Sequence, residues 1–272
     1  MNDTTALKRA SGLVGLAFSL AFAPAARAVS TVQYATLSEM VYHLDGDPDM
    51  NDLIEPPGFK RVATAADAKS GFKAAAYEET ATKALVVSYA GTDDMHDVLA
   101  DLGIAEKQID AYEDEAEKAA ESKLAKWDSK LTKEMAKAES MTIKPTEDLL
   151  RQIKLADAFY DDVAAKHPGR TITITGHSLG GYLGQLESSR TGAAAVLFNG
   201  PGGADMSRGK AADIVNYVRR YDVVGNVGRH IGKMESYIEV KLHMLDVKTR
   251  YALRNHSIVN IRKDLQAGMT PR

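Results

Sequence analysis

The sequence predicts an α/β fold: a mostly parallel central sheet with helices on both faces and a long charged helical insertion. Three observations carry that expectation. Short β-branched runs, with the TITIT of Thr171 to Thr175 foremost, alternate with stretches of helical periodicity, the pattern of strand–helix–strand units and a parallel sheet. The turn GHSLGG, from Gly176 to Gly181, joins that strand to a helix start built of small residues. Finally, residues 105–140 hold neither glycine nor proline and are charged nearly throughout, which sets them apart from the rest of the chain.

In chain order, Lys8 and Arg9 precede an apolar run from Leu13 to Phe22, and Ala26, Arg27 and Ala28 follow it. A charged start, a short apolar stretch and an A-x-A site read residues 1–28 as a secretory signal peptide, so the protein is expected to be exported, periplasmic or secreted. Residues 29–272 then read as one domain with a helical insertion at about 105–140. Tyr34 to Tyr42 carries near-helical apolar spacing, and Asp45 to Gly58 is a loop rich in Asp and Pro. Phe72 to Tyr77 and Ala84 to Tyr89 read as strands around a polar turn at Glu78 to Thr82.

In the insertion, Ile109, Tyr112, Ala116, Ala120, Leu124, Trp127, Leu131 and Met135 recur at spacings of three and four, one narrow apolar stripe on a helix or helical pair. Unbroken, that helix would extend about 50 Å. Two readings stay open for it: a lid or interfacial arm that presents the stripe to lipid, or a solvated excursion packed on a neighbouring helix. Thr146 to Lys166 is an amphipathic helix closed by Pro168 and Gly169. After the glycine turn come a strand at Ala193 to Phe198, a turn at Asn199 to Gly203, a strand at Ile214 to Arg219 and a further strand candidate at Ser236 to Met244.

Composition excludes several classes of function. A net charge of −3 offers no basic surplus for nucleic acid. The absence of cysteine rules out disulfides, c-type haem attachment and cysteine-ligated zinc. Asp93, Asp94, His96, Asp97 and Asp101 are explained by solvation and helix capping, and no metal or cofactor is expected.

The chemistry is expected at the glycine turn. A G-x-S-x-G between a strand and a helix exposes its serine on a turn too tight for side chains at the glycine positions, here Gly176 and Gly180. Ser178 is therefore the candidate nucleophile, and it needs a histidine to take its proton and an acid to orient that histidine. In the order Ser, acid, His, Asp222 after the strand at 214–219 and His256 in RNHSIVNI fill the roles. Rivals are His230 and His243 for the base and Asp213, Asp246 and Glu239 for the acid; His177 is expected to pack behind the serine. For the oxyanion hole, the Leu179 N–H is the first candidate donor and Thr92 of YAGTDD the second.

Three stretches carry a resemblance: VVSYAGTDDMHDVLADL from Val86 to Leu102, GHSLGGYLGQ from Gly176 to Gln185, and YDVVGNVGRHIG from Tyr221 to Gly232. Together they resemble the class 3 lipases and their bacterial phospholipase A1-like relatives, over roughly Tyr34 to Ile261. The resemblance implies an α/β-hydrolase fold, hydrolysis of lipid or other carboxylic esters and transient contact with a membrane surface. It also implies Ser178 as nucleophile, Asp222 as acid, His256 as base and Thr92 at the oxyanion. The chain departs from the family where Tyr89-Ala90 replaces the usual Phe-Arg before Gly-Thr, and in lacking a His-x-Gly-Phe element ahead of the nucleophile strand. The same residues would equally serve an acyltransferase, thioesterase or peptidase, and a hydrolase fold can also persist in a non-catalytic interaction protein.

Overall fold

The computed structural model describes residues 29–44, 55–91, 133, 136–210, 212–219, 222–237 and 256–268. The signal-peptide segment, Thr92, the acidic run from Asp93 to Asp101 and nearly all of the charged insertion lie outside the described residues. So do His243, Asp246 and Glu239.

Seven strands lie side by side in chain order: β1 (Phe59–Asp67), β2 (Phe72–Glu79), β3 (Leu85–Tyr89), β4 (Ile172–His177), β5 (Ala195–Phe198), β6 (Ile214–Arg219) and β7 (Lys233–Tyr237). The first three pair antiparallel and β3 to β7 pair parallel, so the sheet is mostly parallel, as expected. Among the described residues four α-helices accompany it: α1 (Thr31–Met40), α2 (Glu147–Lys166), α3 (Leu179–Thr191) and α4 (Ile258–Gln266).

Strand alternation divides the core between two faces. On one, Ala74, Ala76, Leu85, Val87, Tyr89 and Ile174 meet Leu149, Ile153, Ala156, Phe159 and Val163 of α2 and Leu183 and Leu186 of α3. On the other, Ala75, Tyr77, Val86 and Phe198 meet Tyr34 and Leu37 of α1 and Ile258, Ile261 and Leu265 of α4. Thr173 and Thr175 of TITIT face α1 and make a polar seam there. The Tyr34 hydroxyl donates to Thr173 Oγ1 at 3.2 Å, and Ser38 Oγ lies 2.8 Å from Thr175 Oγ1. The hydroxyls of this seam thus have partners, and the β-branched side chains keep their fit to the pleat.

The helices start where local chemistry satisfies their free N–H groups. Ser30 and Gln33 form a capping box at α1. The Thr146 hydroxyl accepts from Leu149 N at α2, with Glu147 and Asp148 in the first turn. Ser257 caps α4, accepting from Asn260 N.

Two elements go beyond the sequence expectations. β1 was not foreseen, because FKRVATAAD has little β-branched character; pairing with β2 makes it a strand, with a bulge between Arg61 and Ala63. Arg151 of α2 clamps its end, bonding both Asp67 oxygens at 2.7 and 2.9 Å. α4 was also not foreseen: its apolar residues recur within too short a span to read as a helix until it docks. Arg262 on α4 bonds Glu39 of α1, and Asp264 bonds Arg219 of β6. The last strand begins three residues before the expected Ser236, at Lys233; residues 238–244 lie outside the described set.

Candidate active site

β4 ends at His177 and α3 begins at Leu179, leaving Ser178 alone on the turn between them. Its backbone stands at φ 58° and ψ −130°, a conformation that L-residues rarely adopt and that costs on the order of 1–3 kcal/mol. Surrounding bonds hold it there. Ser178 N donates to Phe198 O at 3.0 Å, and its carbonyl accepts from Gly181 N and Tyr182 N. The glycines are required by close approach: a Cβ on Gly176 would stand 2.4 Å from Gly180 O, and one on Gly180 would stand 2.1 Å from Tyr89 O. The elbow helix is thus laid backbone to backbone against the end of β3.

Three of the sequence candidates meet at this turn. His256 Nε2 lies 2.8 Å from Ser178 Oγ, and His256 Nδ1 lies 2.9 Å from one Asp222 oxygen and 3.1 Å from the other. All three residues are buried, with Asp222 wholly enclosed. A carboxylate can only accept, so Nδ1 carries the proton and Nε2 presents its lone pair to the serine hydroxyl. Asp222 follows β6 on a tight turn and accepts from Val224 N at 3.0 Å, from Gly225 N and from Asn199 Nδ2 at 2.9 Å. His256 is carried at the entrance to α4.

Of the rivals, His230 donates to or accepts nothing from this constellation; its Nε2 bonds Gly200 O at 2.9 Å, and burial lowers its pKa. Asp213 is exposed and precedes β6, at the opposite end of that strand from Asp222. Leu179 is the first residue of α3, where an N–H has no partner in the helix ladder, and it adjoins Ser178. Thr92 lies outside the described residues, but Gly91 just before it abuts the elbow: a Cβ there would stand 2.7 Å from Ser178 Cβ.

Two site residues escaped the sequence reading. Asn199, with φ 44°, bonds Asp222 through its amide nitrogen and accepts from Arg219 N through its amide oxygen at 2.9 Å. Its signal was available: asparagine is the side chain that best tolerates a left-handed turn after a strand. Tyr42, in the 3₁₀ turn Val41–His43, reaches His177 from far along the chain, and no local pattern marks it.

Class and relatives follow from this arrangement. A serine elbow on a mostly parallel sheet, with the acid and then the base following in chain order, is the architecture of the α/β-hydrolases. No family model matches the chain, and no curated protein does. Among solved structures the chain is similar to fungal lipases. A nonglycosylated lipase of Yarrowia lipolytica shares 16% identity over 76% of this chain and 79% of its own, at a TM-score of 0.47. The native Rhizomucor miehei lipase propeptide complex shares 13% over 84% and 75%, at 0.47. A triacylglycerol lipase of Penicillium expansum shares 17% over 75% and 77%, at 0.44. At that distance the chemistry of this chain rests on its own geometry.

Proposed function

We propose that the protein is an exported serine hydrolase of carboxylic esters, acting on lipid esters in the manner of a lipase or phospholipase A1. The observation that carries the reading is the unbroken chain of hydrogen bonds from Ser178 Oγ through His256 to Asp222. The choice of lipid esters rests on the resemblance to class 3 lipases, and export on the leader-like residues 1–28.

In this reading Ser178 Oγ attacks the ester carbonyl while His256 Nε2 takes its proton. Negative charge gathers on the carbonyl oxygen, for which the Leu179 N–H is one candidate donor and Thr92, from the sequence, the other. Asp222 holds the imidazole in the tautomer that can accept and stabilises the imidazolium that forms. His256 then passes the proton to the departing alcohol, leaving Ser178 acylated. A water molecule, deprotonated by the same Nε2, releases the acid and restores the serine.

The test is a panel of triglycerides, phospholipids, lysophospholipids and soluble p-nitrophenyl esters, run with the wild-type protein and Ser178→Ala. The substitution should lower kcat by roughly five to six orders of magnitude with the fold retained. Ester hydrolysis by Ser178→Ala at the wild-type rate would overturn the reading.

A further inference from the structure

His177 does more than fill space behind the nucleophile. Its Nε2 lies 2.6 Å from the backbone oxygen of His256, and its Nδ1 lies 2.9 Å from the Tyr42 hydroxyl. The Tyr42 hydroxyl also receives the Gly91 N–H at 2.9 Å. The direction of each bond is fixed by the atoms concerned. A carbonyl oxygen only accepts, so His177 Nε2 carries the proton, and in a neutral ring Nδ1 is then the acceptor. Tyr42 therefore donates its one proton to His177 and accepts from Gly91. The weaker approach of Tyr42 to His177 O, at 3.3 Å, is the alternative that this proton leaves.

The result is a line of bonds from the Gly91 turn through Tyr42 and His177 to the backbone of the base. Both ends matter to the reaction. Gly91 abuts Ser178 and leads into residue 92. Holding the His256 carbonyl fixes the Cα from which the catalytic imidazole hangs, and the two histidine rings lie 4.7 Å apart. We propose that Tyr42 and His177 are a positioning pair, which holds the base His256 and the Gly91 turn in one frame about Ser178. The inference rests on the hydrolase reading above. Burial first, and the neighbouring His256 second, keep His177 well below the usual histidine range, so it stays neutral beside a base that must become cationic. Tyr42 is itself anchored, since its carbonyl accepts from Lys73 Nζ at 3.1 Å.

The test measures the rate and the final stoichiometry of fluorophosphonate labelling at Ser178, with kcat and KM on a soluble p-nitrophenyl ester. Tyr42→Phe should slow labelling and kcat about tenfold, and His177→Leu about a hundredfold, the cost expected of a base displaced by about 1 Å. Labelling should still reach one probe per chain, and KM should stay within about twofold, because what changes is the geometry of the transition state. His177→Gln, whose amide can donate to the same carbonyl, should recover at least about tenfold of the loss. Tyr42→Phe should add little to His177→Leu, since the two act in one line.

Wild-type rates in both single variants would overturn the inference. So would full rates with reduced stoichiometry, the sign of a purely structural role, or independent effects in the double variant. A wild-type protein that takes up no probe would overturn the hydrolase reading, and this inference with it.

Discussion

Asp222 and Glu187 are both buried almost completely, and their surroundings have opposite designs. Asp222 accepts from two backbone N–H groups, the Asn199 amide and His256, all converging on one side chain. Glu187, 1% exposed on α3, has Arg190 at 2.7 Å, but that guanidinium also bonds Asp161 at 2.7 Å, and Asp157 adds a further acid. Burial is the main cause that raises the Glu187 pKa to about 7, with the bond to Arg190 opposing it. The difference lies in what the donors are. Asp222 meets donors held by the backbone, an asparagine amide and the imidazole, whereas Glu187 shares one guanidinium with Asp157 and Asp161. The first arrangement aims the carboxyl at His256; the second ties α2 to α3 and tolerates a proton.

The comparison can be broken most severely at Asp222. Asp222→Asn retains the shape but replaces an accepting oxygen with an N–H₂ donor, which misplaces the imidazole proton. A fall in kcat of roughly 10⁴ is expected, with an unchanged circular dichroism spectrum. A loss below tenfold would show that Asp222 is dispensable as the acid.

Asn199→Ala is the next largest. It deletes one donor to Asp222 and one acceptor for Arg219 N, and places alanine at φ 44°. We expect kcat to fall about ten- to a hundredfold, with about 1–3 kcal/mol of stability lost in urea melts.

Glu187→Gln should leave kcat unaltered and act on stability alone. The folded-state pKa stands above the unfolded value, so between pH of about 4.5 and about 7 the folded protein binds more protons than the unfolded chain. Stability contributed by the protonated group is therefore full below about 4.5 and is lost as pH rises to about 7, on the order of 1–3 kcal/mol in all. Urea melts at several pH values should show that slope in the wild type and its absence in Glu187→Gln. Tyr89, Tyr160, Asp157 and Arg190 face the same group, and burial raises both tyrosines. Asp161→Asn, on an exposed partner, should change stability by less than about 1 kcal/mol.

How far the sequence could be read follows the range of the forces involved. β4, the elbow and α3 were legible because alternation, two glycines at fixed spacing and small residues are local requirements. The order of Ser178, Asp222 and His256 was legible for a topological reason, since loops at one edge of a parallel sheet lie together. β1 was not, because alanines and charges become a strand only through pairing with β2. Nor was α4, whose three buried residues acquire meaning against α1. Tyr42 and His177 lie 135 positions apart, and the bond between them belongs to the packed fold alone.

The bulged first strand bears on how molecules of this protein behave toward one another. An unpaired strand margin is a template on which another chain can add, and long flat margins start aggregates. Among the described residues β1 is the outermost strand; it presents exposed Lys60 and Arg61 and breaks its own repeat between Arg61 and Ala63. Two approaching copies would bring like charges together along margins whose spacings do not match. The bulge that bends this strand is also what makes it a poor seed for another sheet.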